Sequence, residues 1–146
     1  QQQCRRTGGF PAPRTYLPRS VPGCVYTDPE IASAGITEDQ AKEKGIAVKC
    51  GKFIMSANGK SIITQEERGF IKVVAEEATG RILGAQMMCA RATDMIGEFV
   101  TAITNGLTVK QMLKGMRSHP TYNEGIGEAL EELEGGAVHV VPRKKK

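Results

Sequence analysis

The sequence predicts an α+β fold, and three observations predict it. Residues 70–75 and 81–88 are apolar runs separated by Glu76-Glu77-Ala78-Thr79-Gly80, a hairpin signature in which Gly80 supplies a positive backbone angle. Strands joined by so short a turn pair antiparallel. By contrast, Met95, Ile96, Phe99, Val100 and Ile103 recur at helical spacing, as do Tyr122, Ile126, Ala129, Leu130 and Leu133. A helix, then strands, then helices is the order of an α+β domain, not of an alternating parallel one.

Each element has its own local reason. Residues 21–27 read as a short strand entered through Pro22-Gly23. Thr37-Glu38-Asp39-Gln40 has the capping-box pattern, which predicts a short helix ended by Gly45. Ile46, Val48 and Cys50 alternate, and the phase changes at Gly51 before Phe53, which suggests a strand with a bulge. The polar stretch 56–68 reads as a loop, with a short strand around Ile62-Ile63. After the hairpin, the first long helix stops at Asn105-Gly106 and a shorter one runs over 109–112. Ser118-His119-Pro120 breaks the chain, and Thr121-x-x-Glu124 opens the last helix.

The chain of 146 residues, 40% apolar and 25% charged, has room for one soluble domain with a core. Its net charge of +4 lies at the ends. Arg5, Arg6, Arg14 and Arg19 meet no acid within residues 1–20, and residues 143–146 add four more cations. Removing those eight from the 20 basic residues leaves 12 against 16 acids, so residues 21–142 carry −4. A nucleic-acid surface built into the fold is therefore not expected, since that needs cations gathered on a structured face. No 18-residue apolar segment exists to span a membrane. Residues 1–20, with three prolines and a Gly8-Gly9 pair but no apolar run, read as a linker or appended segment. Residues 21–135 read as the domain and 136–146 as a basic tail.

Cys4, Cys24, Cys50 and Cys89 lie 20, 26 and 39 positions apart. That spacing writes neither a zinc knuckle nor a CxxC redox pair, so no metal site is expected. Cys24, Cys50 and Cys89 fall in apolar runs and read as reduced core thiols of a cytoplasmic protein.

Two glycine motifs fail on inspection. Gly59-Lys60-Ser61 lacks the glycine that a phosphate loop needs at position 54, where Ile54 stands. Gly125-Ile126-Gly127 has Leu130 in place of the third glycine of a dinucleotide fingerprint. His119-Pro120-Thr121-x-x-Glu124 is different. It puts an imidazole ahead of a helix N-terminus with a carboxylate five positions on. Such a carboxylate can hold one ring nitrogen and leave the other to take a proton. The same residues can also be a plain capping box after a His-Pro turn, and spacing leaves both readings open.

Residues 21–133 resemble the C-terminal dimerisation domain of the FAD-dependent pyridine nucleotide–disulfide oxidoreductases, above all the branch that oxidises dihydrolipoamide. The resemblance rests on VPGCVYTDPEIASAG at 21–35, Gly69-Phe70-Ile71-Lys72-Val73, Arg81-Ile82-Leu83-Gly84-Ala85, and residues 118–124, all in family order. It implies a mostly antiparallel sheet of about five strands flanked by helices, and a homodimer that shares its active sites. It implies that His119 accepts the proton of a dihydrolipoyl thiol and that Glu124 orients His119. It further implies a cis His119-Pro120 peptide lying against the flavin of the partner subunit. FAD and NAD are then cofactors of a longer parent enzyme, since the nucleotide glycine motifs and the CxxxxC redox pair are absent here. The isolated chain is accordingly expected to be inactive. An acyltransferase component of a 2-oxo acid dehydrogenase complex is a further partner of the parent on this reading.

One departure is Gly125 and Gly127 in the first turns of the last helix, where glycine weakens a helix and could slacken the hold on Glu124. Glutathione-type reductases carry a second acid right after the first, and Gly125 speaks against that branch. A non-catalytic dimerisation module is the remaining alternative. Self-association is expected through the 95–103 helix or the last helix, with residues 112–116.

Overall fold

The computed structural model describes residues 20–136. Apart from Ser20 and Gly136, the expected linker and basic tail lie outside the described residues. The elements, in order, are β1 (Gly23–Val25), β2 (Glu30–Gly35), α1 (Glu38–Glu43), β3 (Val48–Ile54), a single 3-10 turn (Met55–Ala57), α2 (Gly59–Thr64), β4 (Phe70–Glu76), β5 (Ile82–Cys89), α3 (Ala92–Asn105), α4 (Val109–Met112) and α5 (Glu124–Glu134). The five strands form one antiparallel sheet in the order β1-β2-β5-β4-β3, which bears out the α+β expectation.

The β4–β5 hairpin turns at Gly80, whose φ of 70° is the left-handed value that the turn demands. Thr37 caps α1 in a reciprocal box with Gln40, and Gly106 ends α3 in the left-handed region. Helices α3 and α5 lie side by side on one sheet face, α3 across β2 and β5, α5 across β3 and β4. Phe53, Ile71, Met87, Phe99, Ile126 and Leu130 are fully buried between them. Each such side chain contributes about 1.5–3 kcal/mol by leaving water.

Three expectations fail, each for a physical reason. Residues 56–68 are not a loop with a strand at Ile62-Ile63. Asn58 caps Ser61 N–H at 2.9 Å and starts α2, which turns both isoleucines outward. The β3 bulge at Gly51 is not there. Its register with β4 is continuous, and the irregularity falls at Val74/Ala75 between β4 and β5. Gly51 breaks the apolar phase because a Cβ there would sit 2.0 Å from the Ala129 carbonyl oxygen of α5. Finally, the apolar stripes of α3 and α5 are buried on their own sheet and are not free for self-association. Of residues 112–116, Met112 is buried, Leu113 half-buried and 114–116 exposed, with Met116 at 99% the large apolar side chain left outside. The sheet face away from the helices carries a directly opposed row, Val25, Ile31, Met88, Phe70 and Ile54, with Val25, Ile31 and Ile54 exposed.

Candidate active site

The candidate residues sit where the chain passes from α4 to α5. Thr108 caps α4 in a second reciprocal box with Gln111, and the chain then turns through residues 113–117. Residues 118–123 form a loop with a cis His119-Pro120 peptide, as expected, and α5 begins at Glu124.

The structure brings His119 and Glu124 together. His119 Nδ1 lies 2.8 Å from Glu124 Oε1, with the imidazole 78% exposed and the carboxylate largely covered. A carboxylate can only accept, so in the neutral ring Nδ1 carries the hydrogen and Nε2 turns its lone pair outward. The second oxygen is also engaged, since Thr121 N–H donates to Glu124 Oε2 at 2.8 Å. That is half of the expected capping box. The other half is missing: the N-cap of α5 is Asn123, and the Thr121 hydroxyl turns to the Ser118 carbonyl, to which it donates at 2.7 Å. Of the two glycines after Glu124, the first has a packing reason. Gly125 is buried, and a Cβ there would lie 3.0–3.2 Å from Ile71, Met55 and Phe53, so its bareness lets α5 start hard against the sheet.

Two groups that sequence reasoning missed hold this loop from outside. On one side, Asn58 Nδ2 donates to the Thr121 carbonyl at 3.0 Å, and the Tyr122 hydroxyl meets Thr64 Oγ1 at 2.7 Å and the Glu66 carboxylate. The Tyr122 hydrogen bond holds the Glu66 carboxyl below the usual carboxylate range, helped by Thr64. Burial, with Glu66 adding to it, raises the Tyr122 phenol. On the other side, Glu98 of α3 pairs with Arg117 and accepts from Asn123 Nδ2 at 3.1 Å. Only the cap position of Asn58 could have drawn notice in the sequence. Glu98 lies on a polar helix face with no pattern of its own.

A shallow groove of about 280 Å³ runs beside the pair, lined by Leu113, Met116, Arg117, Glu124, Gly127 and Glu128 among others. Among the described residues no three His, Cys, Asp or Glu side chains are grouped to hold a metal ion. No helix of the described residues is long and apolar enough to cross a membrane.

The profile of the pyridine nucleotide-disulphide oxidoreductase dimerisation domain matches residues 21–130, most of the chain and all of the sheet. The chain belongs to this family. Among curated relatives of the domain, a dihydrolipoyl dehydrogenase of Bacillus subtilis is 39% identical over 91% of this chain and a second from the same organism is 42% identical over 87%. A dihydrolipoyl dehydrogenase of Halobacterium salinarum is 38% identical over 92% of the chain. The chain spans 27–28% of the length of these relatives. Among solved structures, LpdA of Mycobacterium tuberculosis superposes with a TM-score of 0.75 at 24% identity, over 79% of this chain and 25% of that one. The Cu(II) complex of RclA from Escherichia coli, an HOCl-induced flavoprotein disulfide reductase, gives 0.74 at 25% identity, over 77% of this chain and 26% of that one. Fold and family thus agree with the dimerisation domain of a dihydrolipoyl dehydrogenase-like oxidoreductase.

Proposed function

We propose that this chain is the interface domain of an FAD-dependent dihydrolipoyl dehydrogenase, which converts dihydrolipoamide and NAD+ to lipoamide and NADH. In this reading it supplies the His119–Glu124 proton acceptor to the active site of the partner subunit in a homodimer. The observation that carries the reading is the 2.8 Å contact between His119 Nδ1 and Glu124 Oε1, which leaves Nε2 of the exposed ring unengaged by Glu124.

The chemistry follows from what each atom can do. A thiol is a poor nucleophile until it becomes a thiolate. Nε2 of His119 takes the proton from a dihydrolipoyl sulfur, and Glu124 stabilises the imidazolium that forms. The thiolate is then free to attack a disulfide contributed from outside this chain. Bound FAD would supply the electron-accepting chemistry and NAD+ the final acceptor. Of this chain's residues, His119 and Pro120 would meet the flavin, presenting an exposed ring and a cis pyrrolidine at the loop surface. Nothing in residues 21–135 offers a phosphate loop, so the rest of the cofactor would be held by the parent enzyme.

Gly125 favours dihydrolipoamide over a glutathione-type substrate. An acid following Glu124 would have its side chain directed at Phe53, Met55 and Ile71. The parent is further proposed to work in the cytoplasm with an acyltransferase component of a 2-oxo acid dehydrogenase complex. Replacing His119 by Gln in the full-length enzyme should lower lipoamide turnover by about 10²–10⁴-fold while the flavin stays bound. Turnover retained at the parent level would refute the role of His119.

A further inference from the structure

We propose that Asn58 is a positioning residue for the His119–Glu124 pair. The inference rests on the reading of that pair as a proton acceptor. Asn58 lies far from the loop in sequence, at the N-cap of α2, and is 3% exposed. Its amide performs two tasks at once. Oδ1 accepts from Ser61 N–H at 2.9 Å, and Nδ2 donates to the Thr121 carbonyl at 3.0 Å.

Thr121 transmits this hold to the pair. Its carbonyl is fixed by Asn58, and its N–H donates to Glu124 Oε2 at 2.8 Å. Glu124 Oε1 in turn faces His119 Nδ1 at 2.8 Å. The two contacts lie in the peptide units on either side of the Thr121 Cα, so losing the Asn58 anchor frees the residue whose amide seats Glu124. The exposed imidazole takes its orientation from Glu124, so Asn58 sets the ring through two intermediates.

The helix that bears Asn58 makes sense in this role. A six-residue helix is far too short to be stable by itself. Two of its residues, Ile62 and Ile63, are exposed, so little core burial justifies it. What α2 does provide is a second tie to the same loop, from Thr64 Oγ1 to the Tyr122 hydroxyl at 2.7 Å. A platform reaching consecutive loop residues through two side chains is what holding the loop requires.

The test reads the tautomer of His119, which a merely structural role would not move. In the 15N-labelled chain at alkaline pH, long-range proton–nitrogen spectra distinguish Nδ1–H from Nε2–H imidazole. His119→Gln assigns the signal against His139, the only other histidine. The wild type should show the Nδ1–H form. Asn58→Asp still accepts from Ser61 but cannot donate to Thr121, and should lose that form in favour of the Nε2–H mixture of free imidazole. Asn58→Ala, which removes both bonds, should do the same, and decides the matter if thermal melts show that the Asp variant does not fold. Retention of the Nδ1–H form in the folded variants overturns the positioning role alone. A wild type already in the Nε2–H form overturns the His119–Glu124 pairing, and the proposed function with it.

Discussion

One substitution, glycine to alanine, should change stability in opposite directions at two positions touching α5. Gly51 lies under the helix, where a Cβ would come within 2.0 Å of the Ala129 carbonyl oxygen and 2.9 Å of Leu133 Cγ. A mid-helix carbonyl cannot swing aside, because the helix itself fixes it. Carbon–oxygen contacts need about 3.3 Å, so helix and strand must part by roughly 1 Å. That opens the seam where Phe53, Ile126 and Leu130 interdigitate, and overpacking of this kind costs about 1–3 kcal/mol. Reduced freedom of the unfolded chain returns only about 0.4–1 kcal/mol. At Gly127 the nearest atoms to a Cβ are those of Arg117, at 3.6 Å, an ordinary contact. There the gain of about 0.5–1 kcal/mol from helix propensity stands unopposed. For a domain of this size 1 kcal/mol moves the melting temperature by roughly 3–6 °C. Circular dichroism melts should therefore place Gly51→Ala below the wild type and Gly127→Ala a few degrees above it. A Gly51→Ala chain that melts with the wild type would refute the close seat of α5 on β3.

Two further outcomes follow from titratable groups. Burial, with the charge of Glu30 adding to it, pushes the Cys89 thiol from 9.0 up to about 12, which leaves about a thousandfold less thiolate at neutral pH. Peptide mapping after brief alkylation of the folded chain should find Cys89 far less modified than half-buried Cys24, and equal labelling would contradict its burial. Lys72, 2.6 Å from Glu38, holds that carboxyl below its usual 4.5, and Glu38 raises Lys72 in turn. A depressed carboxyl stabilises the fold above its ordinary range and loses that contribution as pH falls through the lowered value. Glu38→Gln should thus lower the melting temperature slightly at about pH 7 and leave it unchanged at about pH 2. A deficit that persists in acid would argue against the ion pair as its source.

The parts of the fold legible in the sequence are those whose cause is local. The β4–β5 hairpin has its glycine at the turn, α1 and α4 have their caps, and α3 has both a stripe and a stop. Strand β2 gave no such signal. Glu-Ile-Ala-Ser-Ala-Gly is poor in strand formers, and its conformation comes from pairing with β5, 49 to 59 residues on. Its alanines are small because α3 lies across them. Gly51 misled for the same reason, since what it answers to is the Ala129 carbonyl of α5 rather than its own neighbours.

The His119–Glu124 spacing left two readings open, a base with its orienter or a capped turn, and the carboxylate serves the geometry of both with its two oxygens. Oε2 takes the Thr121 amide and so serves the helix start, while Oε1 takes the imidazole. A turn needs only the first bond. An exposed ion pair adds about 0–1 kcal/mol to a fold, so stability gives little reason for the second. The surroundings point the same way. Asn58, Tyr122 and the Glu98–Arg117 pair fix the loop on both sides yet leave the ring itself uncovered. A loop held from both sides behind an exposed imidazole is what the proposed function needs, because a shared active site requires its base to be fixed in place and yet open to the partner subunit.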